Sequence, residues 1–113
     1  MKIFIISDIQ APMEDRRMVD AVQEAAKDYK PDLLLCVGDE ADAFEPSRWN
    51  KGLAAEMSGT LQAGLDRAHE IMRGFRDAVG KKTPFISMRS NHGDRIQNYI
   101  KKYAPALTGL RSL

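Results

Sequence analysis

The chain has 113 residues, 17 Lys plus Arg against 16 Asp plus Glu, and one cysteine. That length suits a single domain with a real core, the lone cysteine excludes a disulfide scaffold, and the balanced charge argues neither for nor against nucleic acid. The opening apolar run lacks a signal-peptide layout and no stretch is long enough to span a bilayer, so the expectation is a soluble, cytoplasmic protein without membrane contact.

Lys2 to Ile6 is apolar and β-branched after its first residue, which predicts a strand buried on both faces. Asp8 to Glu14 reads as a loop, held out of regular structure by Pro12. A helix follows from about Asp15 to Tyr29, with Met18, Val22, Ala25, Ala26 and Tyr29 as its apolar stripe. Lys30-Pro31-Asp32 ends it, and Leu33 to Val37 forms the second strand, with Cys36 a buried and inert thiol. This strand–helix–strand order implies a parallel pair joined by a right-handed crossover.

Phe44 to Gly52 is a polar loop holding the only Trp. The longest helical pattern runs from Leu53 to Val79, weakened in its first half by Gly59 and Gly64, where a break is foreseen. Gly80-Lys81-Lys82 closes it. Pro84 to Met88 is the third strand and Asp94 to Tyr103 the last helix. The tail reaches Leu113 just after another turn signal. There is no repeat, low-complexity segment or interdomain linker, and the whole reads as one α/β domain, residues 1–113.

Three polar islands follow the three strands: Ser7-Asp8-Ile9-Gln10, Gly38-Asp39-Glu40-Ala41-Asp42 and Ser90-Asn91-His92-Gly93-Asp94-Arg95. Open α/β sheets gather ligands at the carboxyl ends of their strands, so the islands are expected to meet on one rim. Carboxylates, an amide and an imidazole there suit a hard divalent metal and phosphate chemistry. Asp39, ending the middle strand, is the candidate bridge between two metals. Asp8 would cap one metal, and Asn91 would offer its amide oxygen to the other. His92 is placed to protonate a leaving alkoxide or to steady charge on phosphate. Arg48 and Trp49 form a second group. They either clamp a phosphate and stack on a base, or Trp49 anchors its loop on the core. Arg89 and Arg95 flank the Asn-His pair and add positive charge for phosphate. Glu45, Arg67, Arg73 and Arg76 read as solvated, and His69 as a helix-surface or packing residue.

Asp-x-x, Gly-Asp and Asn-His in this order resemble the calcineurin-like metallophosphoesterase superfamily, whose motif series is Asp-x-His, Gly-Asp, Gly-Asn-His-Asp/Glu, a later His and Gly-His-x-His. Glu45 to Gly52 and Arg89 to Arg95 look further like its phage-encoded members. The resemblance covers nearly the whole chain. It implies a four-layer sandwich of two facing mixed sheets, of which this chain would form a βαβαβ half with three mainly parallel strands. It implies a phosphoesterase, hydrolysing phosphodiesters with water activated by a dinuclear metal centre. Asp8 matches the first metal's aspartate, Asp39 the bridging aspartate, Asn91 the second metal's asparagine and His92 the leaving-group acid. Gln10 stands where the family has a metal-binding His. An amide oxygen there favours Mn²⁺ or Mg²⁺ over zinc or iron. Gly93 takes the place of the family's acidic residue, with Asp94 one position later as the candidate replacement. The later histidine motifs are absent. The chain is therefore read as an N-terminal half that holds two, one or no metal ions, completed by the rest of a longer protein or by a second copy. Its partners would be a phosphoester, with nucleic acid or a nucleotide among the candidates. The competing reading is a non-catalytic binding module of the same fold. No Gly-x-Gly-x-x-Gly or Gly-x-x-x-x-Gly-Lys-Ser/Thr pattern supports a different nucleotide-binding domain.

Overall fold

In a computed structural model, which describes residues 1–110, the chain folds as β1 (Ile3–Ile6), α1 (Arg16–Tyr29), β2 (Leu33–Cys36), a 3₁₀ turn (Ala54–Met57), α2 (Leu61–Val79), β3 (Phe85–Ser87), α3 (Asn91–Tyr103) and a short 3₁₀ turn (Pro105–Leu107). The end of the tail, 111–113, lies outside the described residues. The sheet is open and all-parallel in the order β1-β2-β3, with Ile5 opposite Leu35 and Leu35 opposite Ile86. Asp39 thus follows the middle strand, as expected.

Strands added one after another in the same direction, each by a right-handed crossover, place both connecting helices on one face. Here Ile6, Leu34 and Cys36 from the sheet meet Val19 and Ala26 of α1 and Ala68, Ile71 and Phe75 of α2 in the core. Burial pushes the Cys36 thiol up from its ordinary value, which keeps it protonated and inert. The opposite face is bare, and this corrects the expectation of a strand buried on both sides. Ile5 is 60% exposed and Ile86 50%.

Other boundaries also moved. The first helix's buried stripe is rotated by one residue, with Val19 and Ala26 inside and Met18 exposed. Asp15 is not helical but caps α1, accepting from the Arg17 and Met18 amides. The pattern read as one helix from Leu53 is broken between Ser58 and Thr60, where Gly59 takes a φ of +73° that ends right-handed winding. The last helix begins three residues earlier than expected because Ser90 caps it, its hydroxyl accepting from the Gly93 amide at 3.1 Å. Asn91 and His92 therefore lie in the first turn of α3, not in a loop.

Three side chains read as solvated are not. Glu45 is buried and accepts from the Thr60 hydroxyl at 2.6 Å. Arg67 pairs with the nearly buried Glu14 at 2.6 Å. Arg76 donates to the carbonyls of Gly80 and Thr83, closing the end of α2. His69 and Arg73 sit exposed on α2, as foreseen.

Candidate active site

The first two islands are zipped together beyond the strand ends. The Asp8 amide donates to the Gly38 carbonyl at 3.2 Å, the Gln10 amide to Asp39 at 2.9 Å and the Ala11 amide to Glu40 at 3.0 Å. Asp42 donates back to Ala11 at 3.0 Å. This brings Asp8, Gln10 and Asp39 onto one rim. All three have left-handed backbones, with φ of +53°, +52° and +57°. Non-glycine residues in that region carry strain of about 1–2 kcal/mol each, least for Asp and Asn, and such strain clusters at functional sites.

The third island joins through Gly38. The Met88 amide donates to the Cys36 carbonyl at 2.8 Å, carrying the chain to Ser90, which packs directly on Gly38. The helix that Ser90 starts then aims its first amides at the rim, and the His92 amide lies 3.4 Å from Asp39 Oδ1. A helix N-terminus facing a carboxylate is electrostatically favourable. Asn91, Asp39 and the Asp8 loop therefore share one edge of the sheet.

His92 is held from both sides. Its Nδ1 is 3.1 Å from Asp42 Oδ1, a close electrostatic contact out of line for a hydrogen bond. Arg95 Nη2 is 2.9 Å from its Nε2. A guanidinium only donates, so Nε2 accepts and the ring proton sits on Nδ1, facing Asp42. Arg95 also donates to the Asp42 carbonyl at 2.7 Å, closing a three-residue ring of contacts. The carboxylate beside His92 is that of Asp42, whereas Asp94 pairs with Arg89. Asp42 escaped the sequence reading although it lies within the second island. Its signal was a third acidic residue after Gly38, available once the loop is seen to fold back on Ala11.

The residues expected to hold a metal, the carboxylates Asp8 and Asp39 and the amides Gln10 and Asn91, all stand on loops or a helix start at this one edge. Among the described residues, no three His, Cys, Asp or Glu side chains form a ready metal cage. The chemistry of the set fits an oxygen-preferring divalent ion held by fewer protein ligands than a closed cage gives, with water completing the shell.

Beside Asn91 and Arg95 a groove of about 360 Å³ runs between residues 46–49 and α3. Trp49 lies on its wall, 74% exposed, with the Arg48 guanidinium 4.6 Å from its ring centre. That exposure overturns the reading of Trp49 as an anchor of its loop on the core. Lys102, Tyr99 and Tyr103 also line the groove, although the sequence reads the two tyrosines only as part of the last helix's apolar stripe and Lys101-Lys102 as a basic pair serving solubility rather than nucleic acid. Their signal was spacing, because Asn91, Arg95, Asn98 and Lys102 recur every three or four residues on one helix face.

Glu56 pins this part of the chain to α3. It accepts from Lys51 at 2.7 Å, from the Gly52 amide at 2.6 Å and from the Tyr99 hydroxyl. Lys51, then Tyr99 and the Gly52 amide, pull its carboxyl from about 4.5 down to about 2. A folded-state pKa below the unfolded one contributes stability that is complete above about 4.5 and lost as pH falls towards 2. Thermal midpoints measured across that window should therefore fall less steeply for Glu56→Gln than for the parent. Parallel slopes would rule out this anchor.

A family model described as calcineurin-like phosphoesterase matches residues 1–107. The chain is 34% identical over 106 residues to the Gene 54 protein of Mycobacterium phage D29, and 32% identical over 110 residues to the Gene 54 protein of Mycobacterium phage L5. Each alignment covers 94% of this chain and 41% of the relative, so the chain spans less than half the length of the curated relatives it matches. No solved structure matches. With its strand-end aspartates and its Asn-His helix start gathered on one rim, and the family match running through residue 107, the chain belongs to the calcineurin-like phosphoesterase family.

Proposed function

We propose that the rim is the phosphodiester-hydrolysing site of a metal-dependent phosphoesterase, with Asp8, Gln10, Asp39 and Asn91 as metal ligands and Mn²⁺ or Mg²⁺ as the preferred ion. The observation that carries this is the convergence of Asp8, Asp39 and the start of α3, each from a different strand end. A bound divalent ion supplies Lewis acidity and a water of lowered pKa. The chain's own residues supply the rest. Asp39 faces the first amides of α3, where the helix N-terminus favours a carboxylate. Arg95 and His92 set positive and polar groups beside it, where negative charge on a phosphate is favoured. Arg95 holds Nε2 of His92 as an acceptor, with the ring proton on Nδ1 facing Asp42, so proton donation from Nε2 requires Arg95 to withdraw and Nε2 first to take up a proton, giving an imidazolium beside the Asp42 carboxylate. Arg89 is a poorer candidate for phosphate, being tied to Asp94.

One observation favours the second reading, a binding module that does not turn over. The rim lacks a third charged or imidazole ligand among the described residues. Hydrolysis of bis(p-nitrophenyl) phosphate by this chain, with Mn²⁺ and with EDTA, separates the two. Mn²⁺-dependent turnover is expected, and equal rates in both conditions would favour the binding module.

A further inference from the structure

We infer that the groove beside the rim binds a single strand of nucleic acid. The inference rests on the proposed phosphoesterase reading for one point, that a backbone phosphate lies at the rim end of the groove.

Charge is the first observation. The chain as a whole carries a net charge of only +1. Arg48, Arg95 and Lys102 nevertheless line this one groove, where no Asp or Glu stands among the described lining residues, although Arg95 is shared with Asp42 at 3.5 Å. Local excess of one sign against a neutral background is the footprint of an anionic ligand.

Aromatic surface is the second. Trp49 is 74% exposed, and Arg48 occupies one face of its ring at 4.6 Å. A guanidinium stacked there leaves an electron-rich plane held in place for a flat partner on the other side. Across the groove Tyr99 and Tyr103 have ring centres 4.9 Å apart, and Lys51 lies 5.0 Å from the first and 4.2 Å from the second. Lys51 is itself paired with Glu56 at 2.7 Å, so the groove's own lining sets the rings of Trp49, Tyr99 and Tyr103 beside the cations of Arg48, Arg95 and Lys102, the kinds of group that receive bases and phosphates.

The kind of nucleic acid follows from that geometry. Bases in a duplex are already stacked on one another and cannot reach Trp49, whereas a single strand offers each base face freely. An acidic protein segment would satisfy the cations but leave the ring faces without planar partners. A mononucleotide would engage one ring and one cation and leave the rest unused.

The test is fluorescence anisotropy with fluorescein-labelled oligo(dT) and oligo(U) of about ten nucleotides. It is run in EDTA, so that no metal chemistry contributes. Both strands should bind, and a preference between oligo(U) and oligo(dU) identifies the sugar. Trp49→Ala should weaken binding about ten-fold, while Trp49→Phe stays within about three-fold. Lys102→Ala should lower the slope of log affinity against log salt by about 0.7. Both side chains are exposed, so the variants are expected to fold normally, and circular dichroism checks this. Absence of binding overturns the inference. So does binding that Trp49→Ala and Lys102→Ala leave unchanged, or binding in which a duplex, thymidine monophosphate or polyglutamate competes as well as the single strand. Mn²⁺-dependent hydrolysis of bis(p-nitrophenyl) phosphate reads the rim separately. Hydrolysis without strand binding defeats this inference alone, and strand binding without hydrolysis defeats the rim chemistry alone.

Discussion

Replacing Asp39 by Asn is expected to lower Mn²⁺-dependent phosphodiester hydrolysis by about 100-fold or more and to leave the fold intact. The loss follows from charge. Asp39 follows the central strand, and of the four proposed metal ligands only Asp8 and Asp39 are carboxylates, so the neutral amide removes half of the negative charge those ligands would offer an ion. Altering a residue that merely supports a metal ligand typically costs 10–100-fold, and a charged ligand itself should cost at least the upper end. The fold survives for two reasons. Asn tolerates the left-handed backbone that Asp39 adopts at φ +57°. The carboxylate's only hydrogen bond to the protein among the described residues is the long 3.4 Å contact from the His92 amide. Initial rates with and without Mn²⁺ and Mn²⁺ binding followed by electron paramagnetic resonance should both collapse, while circular dichroism stays that of the parent. A variant that retains the parent's rate and Mn²⁺ affinity would remove Asp39 from the site.

The elements that carry the site were legible because each is announced locally. Apolar runs of four or five residues followed by Asp8, by Gly38-Asp39 and by Ser90-Asn91-His92 mark strand ends, and strand ends in a parallel sheet share a rim. The parallel pairing of the first two strands followed from the helix that connects them, whereas the register was not legible. What escaped depends on partners distant in sequence. Asp42 reads as an ordinary loop acid until its contacts with His92 and Arg95, residues far along the chain, are seen. Glu45 reads as solvated until Thr60 folds over it. The start of α3 was misplaced because Asn91-His92-Gly93 reads as a loop, and only the Ser90 hydroxyl, accepting from Gly93, extends the helix back over it. The bare sheet face is not legible in the strand pattern itself, since Ile3 and Ile5 are as apolar as Phe4 and Ile6, and is expected only when the chain is read as half of a two-sheet sandwich. Local chemistry announces where a site is, and nonlocal contacts decide which side chains finish it.

Gly38→Ala is expected to destabilise the protein by about 2–4 kcal/mol, the largest stability effect of any single methyl group on this rim. Two causes add. Gly38 has a φ of +102°, outside what an L side chain adopts without strain. A Cβ there would also stand 2.5 Å from the Ser90 Cβ, well inside van der Waals contact. Ser90 cannot simply retreat, because its hydroxyl caps α3 and its backbone continues directly into Asn91 and His92. At about 4–8 °C per kcal/mol for a domain of this class, the thermal midpoint should fall by roughly 10–25 °C. Gly52→Ala is the matched control. Gly52 is also left-handed, at φ +76°, but has nothing within 4 Å of an added Cβ, so it should show the backbone strain alone, about 1 kcal/mol. Pairing Gly38→Ala with Ser90→Gly should recover the steric share while losing the cap, which separates contact from conformation. Thermal unfolding followed by circular dichroism compares the four proteins directly. A Gly38→Ala midpoint no lower than that of Gly52→Ala would mean that the Gly38–Ser90 contact does not hold the Asn-His helix start against the Asp39 loop, and the rim would need another clamp.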